Sequence, residues 1–216
     1  MNPWRARGVP VRGRGDPPLY AFLRVVCACI LVPLYRYRVH GGEHVPQEGG
    51  VILAVTHKSW GDPVLAGMAF ARPLRFMAKS ELFENRLFGR LVASLGAFPI
   101  RRGTADVEAL RASLAIVASG EVLLMFPEGH RFHDDEVHEF HPGIGLLALR
   151  SGAPVLPVAL KGTKRLVRSF VPVFPRVRVW IGPPVDLSDV VGRGSAAYAA
   201  AARRLRDAVA ELYERA

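Results

Sequence analysis

The sequence predicts an α/β fold: a single layered domain with a largely parallel central sheet flanked by helices, preceded by an N-terminal membrane-associated helix. Three observations carry this. Short apolar runs bounded by glycine, proline or polar turns alternate with segments of helical period, the pattern of strand–helix–strand units. Half of the 216 residues are hydrophobic and 22% are charged, enough to bury a core and too apolar for disorder. One 17-residue stretch near the N-terminus, 19–35, holds a single charge, Arg24.

The elements follow in order. Residues 1–18 are rich in Arg, Gly and Pro without hydrophobic period and read as a disordered basic tail. Residues 19–36 read as a membrane-associated helix. At 17 residues its apolar part is about 26 Å long, short of the roughly 30 Å hydrocarbon core. Arg24 interrupts it and Pro33 would kink its end. It therefore suits the bilayer interface better than a span, with arginines on anionic head groups. A buried core helix is the plain alternative. A cleaved signal peptide is disfavoured, because no small-x-small site follows.

Residues 37–216 form the folded domain. Strands are expected at 51–55, 74–77, 97–100, 122–126, 155–160 and 177–181. Helices are expected at 63–70, 86–94, 143–150 and 195–215, with another opening at Thr104 as N-cap and closing at Gly120. Val107, Leu110, Leu114 and Val117 would share its buried face.

The net charge is +10, and six of those charges fall within residues 1–40. Anionic partners are favoured: membrane surface, phosphorylated substrate or nucleic acid. Nucleic acid fits poorly, since no helix-turn-helix, RNA-recognition or zinc-finger pattern occurs. Two cysteines, Cys27 and Cys29, exclude a disulfide-stapled scaffold.

Four blocks carry chemistry. Thr56-His57-Lys58-Ser59-Trp60-Gly61-Asp62-Pro63 follows a buried strand, where open α/β sheets present reactive groups. An Asp that holds one imidazole nitrogen leaves the other free as a general base. Without an adjacent Ser or Cys nucleophile, that base would act directly on a substrate hydroxyl. The bland reading makes Asp62-Pro63 only a helix N-cap and first residue. Gly96 to Gly103 places Arg101 and Arg102 at a strand end, a clamp for phosphate or carboxylate or simply a solvated pair. Phe126-Pro127-Glu128-Gly129-His130-Arg131-Phe132 puts Glu128 and Arg131 near a polar head group, with Gly129 admitting close backbone approach, or is an ordinary turn. Residues 155–160 are apolar, either an acyl slot or plain core. The histidine-rich run from His130 to His141 offers His133, Asp134, His138 and His141 as possible metal ligands, against a solvated loop.

In this order and spacing the blocks resemble the glycerolipid acyltransferases, the lysophosphatidic acid acyltransferases of the bacterial PlsC type. The matching residues are His57 with Asp62, Gly96 through Arg102, Phe126 through Arg131, and Leu156-Pro157-Val158. Residues 79–83 and Phe88-Gly89 resemble the segment between the first two blocks. The resemblance implies that His57 deprotonates a glycerol hydroxyl and Asp62 orients it. The oxygen attacks an acyl thioester, whose thiol leaves. It implies that Arg102, with Arg101, binds the acceptor phosphate, and that Glu128, Gly129 and Arg131 position the glycerol and phosphate. No metal or organic cofactor is implied; acyl-CoA or acyl-carrier protein serves as donor, and a lysophospholipid as acceptor. His130 and Phe132 stand where the family commonly has Thr and Ser, and Arg101 where an acid is common. Lysophosphatidic acid therefore leads, with another lysophospholipid or a lyso-ornithine lipid as the alternative. The expected place of work is the cytoplasmic face of the cell membrane.

Overall fold

The computed structural model describes residues 7–10, 15–100, 107–164, 167–168, 171–192 and 194–216. Its centre is a seven-stranded sheet. The strands are β1 (Arg38–His40), β2 (Val51–Val55), β3 (Leu74–Lys79), β4 (Ala97–Ile100), β5 (Val122–Met125), β6 (Val155–Lys161) and β9 (Arg178–Ile181). Their order is β1-β9-β6-β2-β5-β3-β4. Every neighbouring pair is parallel except β6 with β9. A two-stranded hairpin, β7 (Val167–Arg168) and β8 (Val171–Pro172), lies outside it.

Among the described residues six α-helices accompany the sheet: α1 (Pro18–Leu34), α2 (Asp62–Gly67), α3 (Arg86–Ser94), α4 (Val107–Ala118), α5 (Pro142–Ser151) and α6 (Ser195–Arg215). Alternation along the strands explains the layering. Val51, Leu53 and Val55 of β2 face one core with Ala28 and Val32 of α1 and Leu65 and Ala66 of α2. Ile52 and Ala54 face the other with Ile116 of α4, Leu147 of α5 and Leu205 and Val209 of α6. Strands covered on both faces read as unbroken apolar runs, which is why β2, β5 and β6 were legible. Gly145 lets α5 and α6 approach closely, since a Cβ there would stand 2.0 Å from the Tyr198 carbonyl oxygen.

Some expectations shift. The buried face of α4 is Ala109, Ser113, Ile116 and Val117, with Val107 exposed. Leu110 and Leu114 only flank the core, because α5 and β5 meet the helix one position round from the apolar stripe. The proposed cap Thr104 lies outside the described residues. Strand β6 is a central strand between β2 and β9, wholly buried up to Leu160, so residues 155–160 are core and line no acyl slot.

The N-terminal helix is half seated. Tyr20, Arg24, Ala28 and Val32 form a buried stripe at four-residue spacing, while Leu19, Phe22, Val25, Ile30 and Leu34 stay exposed. Arg24 does not reach head groups. Its Nε lies 2.9 Å from Asp16 Oδ2, and Nη1 donates to the Phe70 carbonyl. A buried guanidinium needs such partners. The described parts of the expected tail also touch the body: Val9 is buried and Arg7 donates to the Val32 carbonyl at 3.0 Å. Among the described residues no helix is long and apolar enough to cross a membrane.

Candidate active site

Strands β2 and β5 are parallel neighbours, with Ala54 opposite Met125. The same register carries past their C-terminal ends and sets the His57 loop beside Phe126-Pro127-Glu128. Thr56 anchors the end of β2, its Oγ1 accepting from the Leu160 N–H at 3.0 Å. The His57 ring then stacks on Phe126, centroids 4.0 Å apart and planes at 18°.

His57 Nδ1 lies 3.0 Å from Asp62 Oδ2. That oxygen also accepts from the backbone N–H groups of Lys58 and Ser59, each at 2.7 Å. An oxygen so used as acceptor requires Nδ1 to donate, which leaves the lone pair on Nε2. Asp62 is completely buried and is the first residue of α2; Gly61 is the cap. Its side chain turns back to the histidine loop, and Gly61 rather than Asp62 holds the cap position.

Glu128 is 2% exposed, and neither carboxylate oxygen accepts a hydrogen bond of ordinary geometry among the described residues. Burial pushes its pKa up to about 7. Lys58 and His138 pull it down, Asp134 pushes it further up, and the His57 backbone N–H adds a weak downward pull. Gly129 follows with φ +72°, and a Cβ there would lie 2.6 Å from the His141 ring, so only glycine fits the turn. Arg131 is exposed. Phe132 faces inward, stacked on His138 at 3.7 Å, and its N–H donates to the His57 carbonyl at 3.1 Å. Phe132 thus ties the two loops together, a use its position in the block did not reveal.

His57, Asp62, Glu128 and Gly129 are therefore brought together, with Arg131 on the same loop. Arg101 and Arg102 lie outside the described residues; β4, which precedes them, is the sheet edge two strands from β5. Of the metal candidates, Asp134 and His138 pair at 2.8 Å, His141 packs on Gly129, and His133 is exposed. Among the described residues no three His, Cys, Asp or Glu side chains gather as a metal-binding group.

Sequence reasoning missed the neighbouring cavity. About 190 Å³ of apolar space opens between α1, α2, β3 and α3, lined by Leu23, Cys27, Val64, Met68, Phe76 and Leu91 among others. Pro63, also in its wall, directly follows Asp62. The lining comes from four elements spread over some seventy residues, so no local run marks it. Cys27 and Cys29 are free thiols, the second exposed.

A model of the acyltransferase family matches residues 36–161. The chain belongs to the acyltransferase family. A 1-acyl-sn-glycerol-3-phosphate acyltransferase of Streptococcus pneumoniae is 34% identical over 182 residues, 82% of this chain and 66% of that enzyme. A lyso-ornithine lipid O-acyltransferase of Pseudomonas aeruginosa is 34% identical over 134 residues, 61% of this chain and 49% of that enzyme. The chain thus spans about half to two thirds of these relatives. The crystal structure of the 1-acyl-sn-glycerophosphate acyltransferase PlsC from Thermotoga maritima has the same fold, with TM-score 0.68 and 22% identity over 91% of this chain and 88% of that one. The family match runs from β1 to β6 and so takes in the loops after β2 and β5, with His57 and Glu128, and the start of α2, with Asp62.

Proposed function

We propose that this acyltransferase moves an acyl chain from a thioester to the free hydroxyl of 1-acyl-glycerol-3-phosphate, giving phosphatidic acid. The observation that carries the reading is the His57 Nδ1–Asp62 Oδ2 contact at 3.0 Å beside an apolar cavity. Nε2 takes the hydroxyl proton as the oxygen attacks the thioester carbonyl. The C–S bond breaks, and the imidazolium returns its proton to the departing thiolate. The thioester arrives activated, so the reaction asks for no cofactor, and acyl-CoA or acyl-carrier protein can supply it. Ionised Glu128, buried with unused acceptor capacity, would hold a glycerol hydroxyl. Arg131, together with Arg101 and Arg102, would take the phosphate.

Supporting the lipid assignment, the walls of the cavity also have outward faces that are apolar. Phe22 of α1 is 63% exposed and Leu87 of α3 is 81% exposed, with Leu19, Ile30, Phe88 and Leu91 beside them in their helices. These faces would rest on the cytoplasmic surface of the bilayer, so the acyl chain need not cross water. A lyso-ornithine lipid is the second acceptor, favoured by the Pseudomonas relative.

The test is product formation on vesicles with each acceptor and each donor. Phosphatidic acid from the wild type, and a loss of about 10²–10⁴-fold in His57→Ala with vesicle binding intact, is expected. Equal activity in His57→Ala would end the mechanism. Acylation of the lyso-ornithine lipid alone would move the acceptor assignment.

A further inference from the structure

The side chain of Lys58 has no part in the chemistry just derived, although the residue adjoins the histidine and its backbone N–H donates to Asp62. A lysine in the open would offer its charge to the substrate phosphate. This one is 1% exposed. Its Nζ lies 3.8 Å from Glu128 Oε2 and 3.3 Å from Asp134 Oδ1, donates to the Glu136 carbonyl, and stands 5.8 Å from the Phe132 ring centroid. Every one of these partners belongs to the segment 128–136 after β5. One side chain of the β2 loop therefore fastens the loop that carries Glu128 and Arg131. A charge is costly to bury, so it persists only where its partners repay the lost water.

We propose that Lys58 is a positioning residue for the acceptor: paired with Glu128, it holds that carboxylate and its loop against the His57 loop, without touching substrate. The inference rests on the acyl-transfer reading. The titratable and charged groups that act on Glu128 are Lys58, His138 and Asp134, with Tyr213 of α6 also in electrostatic reach. Lys58 is its only cation within 4 Å among the described residues. His138 acts in the same sense from further off and is itself engaged by Asp134, which opposes it. Without Lys58, burial would hold the proton on Glu128 through neutral pH, and the protonated acid is a poorer acceptor for a hydroxyl.

Four variants test this: Lys58→Met, Lys58→Arg, Glu128→Gln and the Lys58→Met/Glu128→Gln double. Expected for Lys58→Met is a loss of about tenfold or more in kcat/KM for the lysophospholipid, the acid limb moving up by about one pH unit. The KM for the thioester should stay as in wild type. Lys58→Arg should restore most activity, and the double should be no worse than Glu128→Gln alone. A wild-type pH profile in Lys58→Met, or losses that simply multiply in the double, would overturn the pairing.

Thermal melts give a second readout free of activity. Removing Lys58 leaves a buried carboxyl that must keep its proton while the unfolded chain releases it. The deficit of Lys58→Met should therefore grow as pH rises from 6 to about 9, and Glu128→Gln added to it should recover most of the loss. A double as unstable as Lys58→Met, with the same pH slope, counts against the proposal. If wild type acylates no lysolipid, the acceptor reading fails while the melts still judge the Lys58–Glu128 pair.

Discussion

The loops after β2 and β5 adjoin the apolar cavity at Asp62-Pro63, yet the two regions are built differently. In the loops, polar atoms are fixed in direction: Asp62 Oδ2 meets His57 Nδ1 and two backbone N–H groups, and Phe132 N–H holds the His57 carbonyl. The cavity has an almost wholly apolar lining, and the helices that form it turn exposed Phe22 and Leu87 outward. Proton transfer succeeds only along a line between two atoms. A hydrocarbon chain needs area, and any apolar wall of the right depth supplies it. The polar region should therefore be intolerant of isosteric change, and the apolar one should respond in proportion to volume or area.

The sharpest break of this contrast is Asp62→Asn. A single oxygen, Oδ2, meets His57 Nδ1 and both backbone N–H groups, so the amide oxygen takes that place and keeps the three contacts, but the negative charge that would stabilise the imidazolium is gone. A fall of roughly 10²–10⁴-fold in kcat with little change in melting temperature is expected. Asp62→Ala should add a loss of about 1–3 kcal/mol in stability, because buried donors go unpaired. Kinetics beside thermal melts separate the two.

Volume comes next. Gly67 lines the cavity, and a Cβ there would meet only the Tyr20 hydroxyl at 3.6 Å, so a larger side chain can enter. Gly67→Leu should shift donor preference to shorter chains. Each methylene displaced from the slot costs about 0.8 kcal/mol, a factor of about four in kcat/KM. Competition between donors of graded length would read it, and an unchanged preference would place the chain elsewhere. The smallest effect concerns area on the outer face. Phe22→Asp should weaken binding to anionic vesicles by about tenfold while a short-chain, water-soluble acceptor is turned over as before. Sedimentation with vesicles checks it.

How much could be read in advance differs between the same two regions. His57 and Asp62 stand five apart in sequence, so one loop closes their contact and the spacing alone announces it. Strands β2, β5 and β6 declared themselves because burial on both faces leaves no polar alternation to confuse. Arg24 misled, because its partners Asp16 and Phe70 lie 8 and 46 positions away and convert a presumed head-group contact into an internal tie. Residues 155–160 left slot and core both open, because an apolar run states only that it is buried; the sheet order made it core.

By itself, then, the sequence determined the succession of strands and helices, the histidine–aspartate pair and the block that holds Glu128, since each depends on period or spacing within one short segment. The tertiary structure alone decided that Lys58 is buried against a segment some seventy positions on, that α1 offers one face to the core and one outward, and that α1, α2, β3 and α3 enclose a cavity. Those outcomes depend on which surfaces meet after the chain has crossed the sheet several times, and no local pattern encodes that meeting.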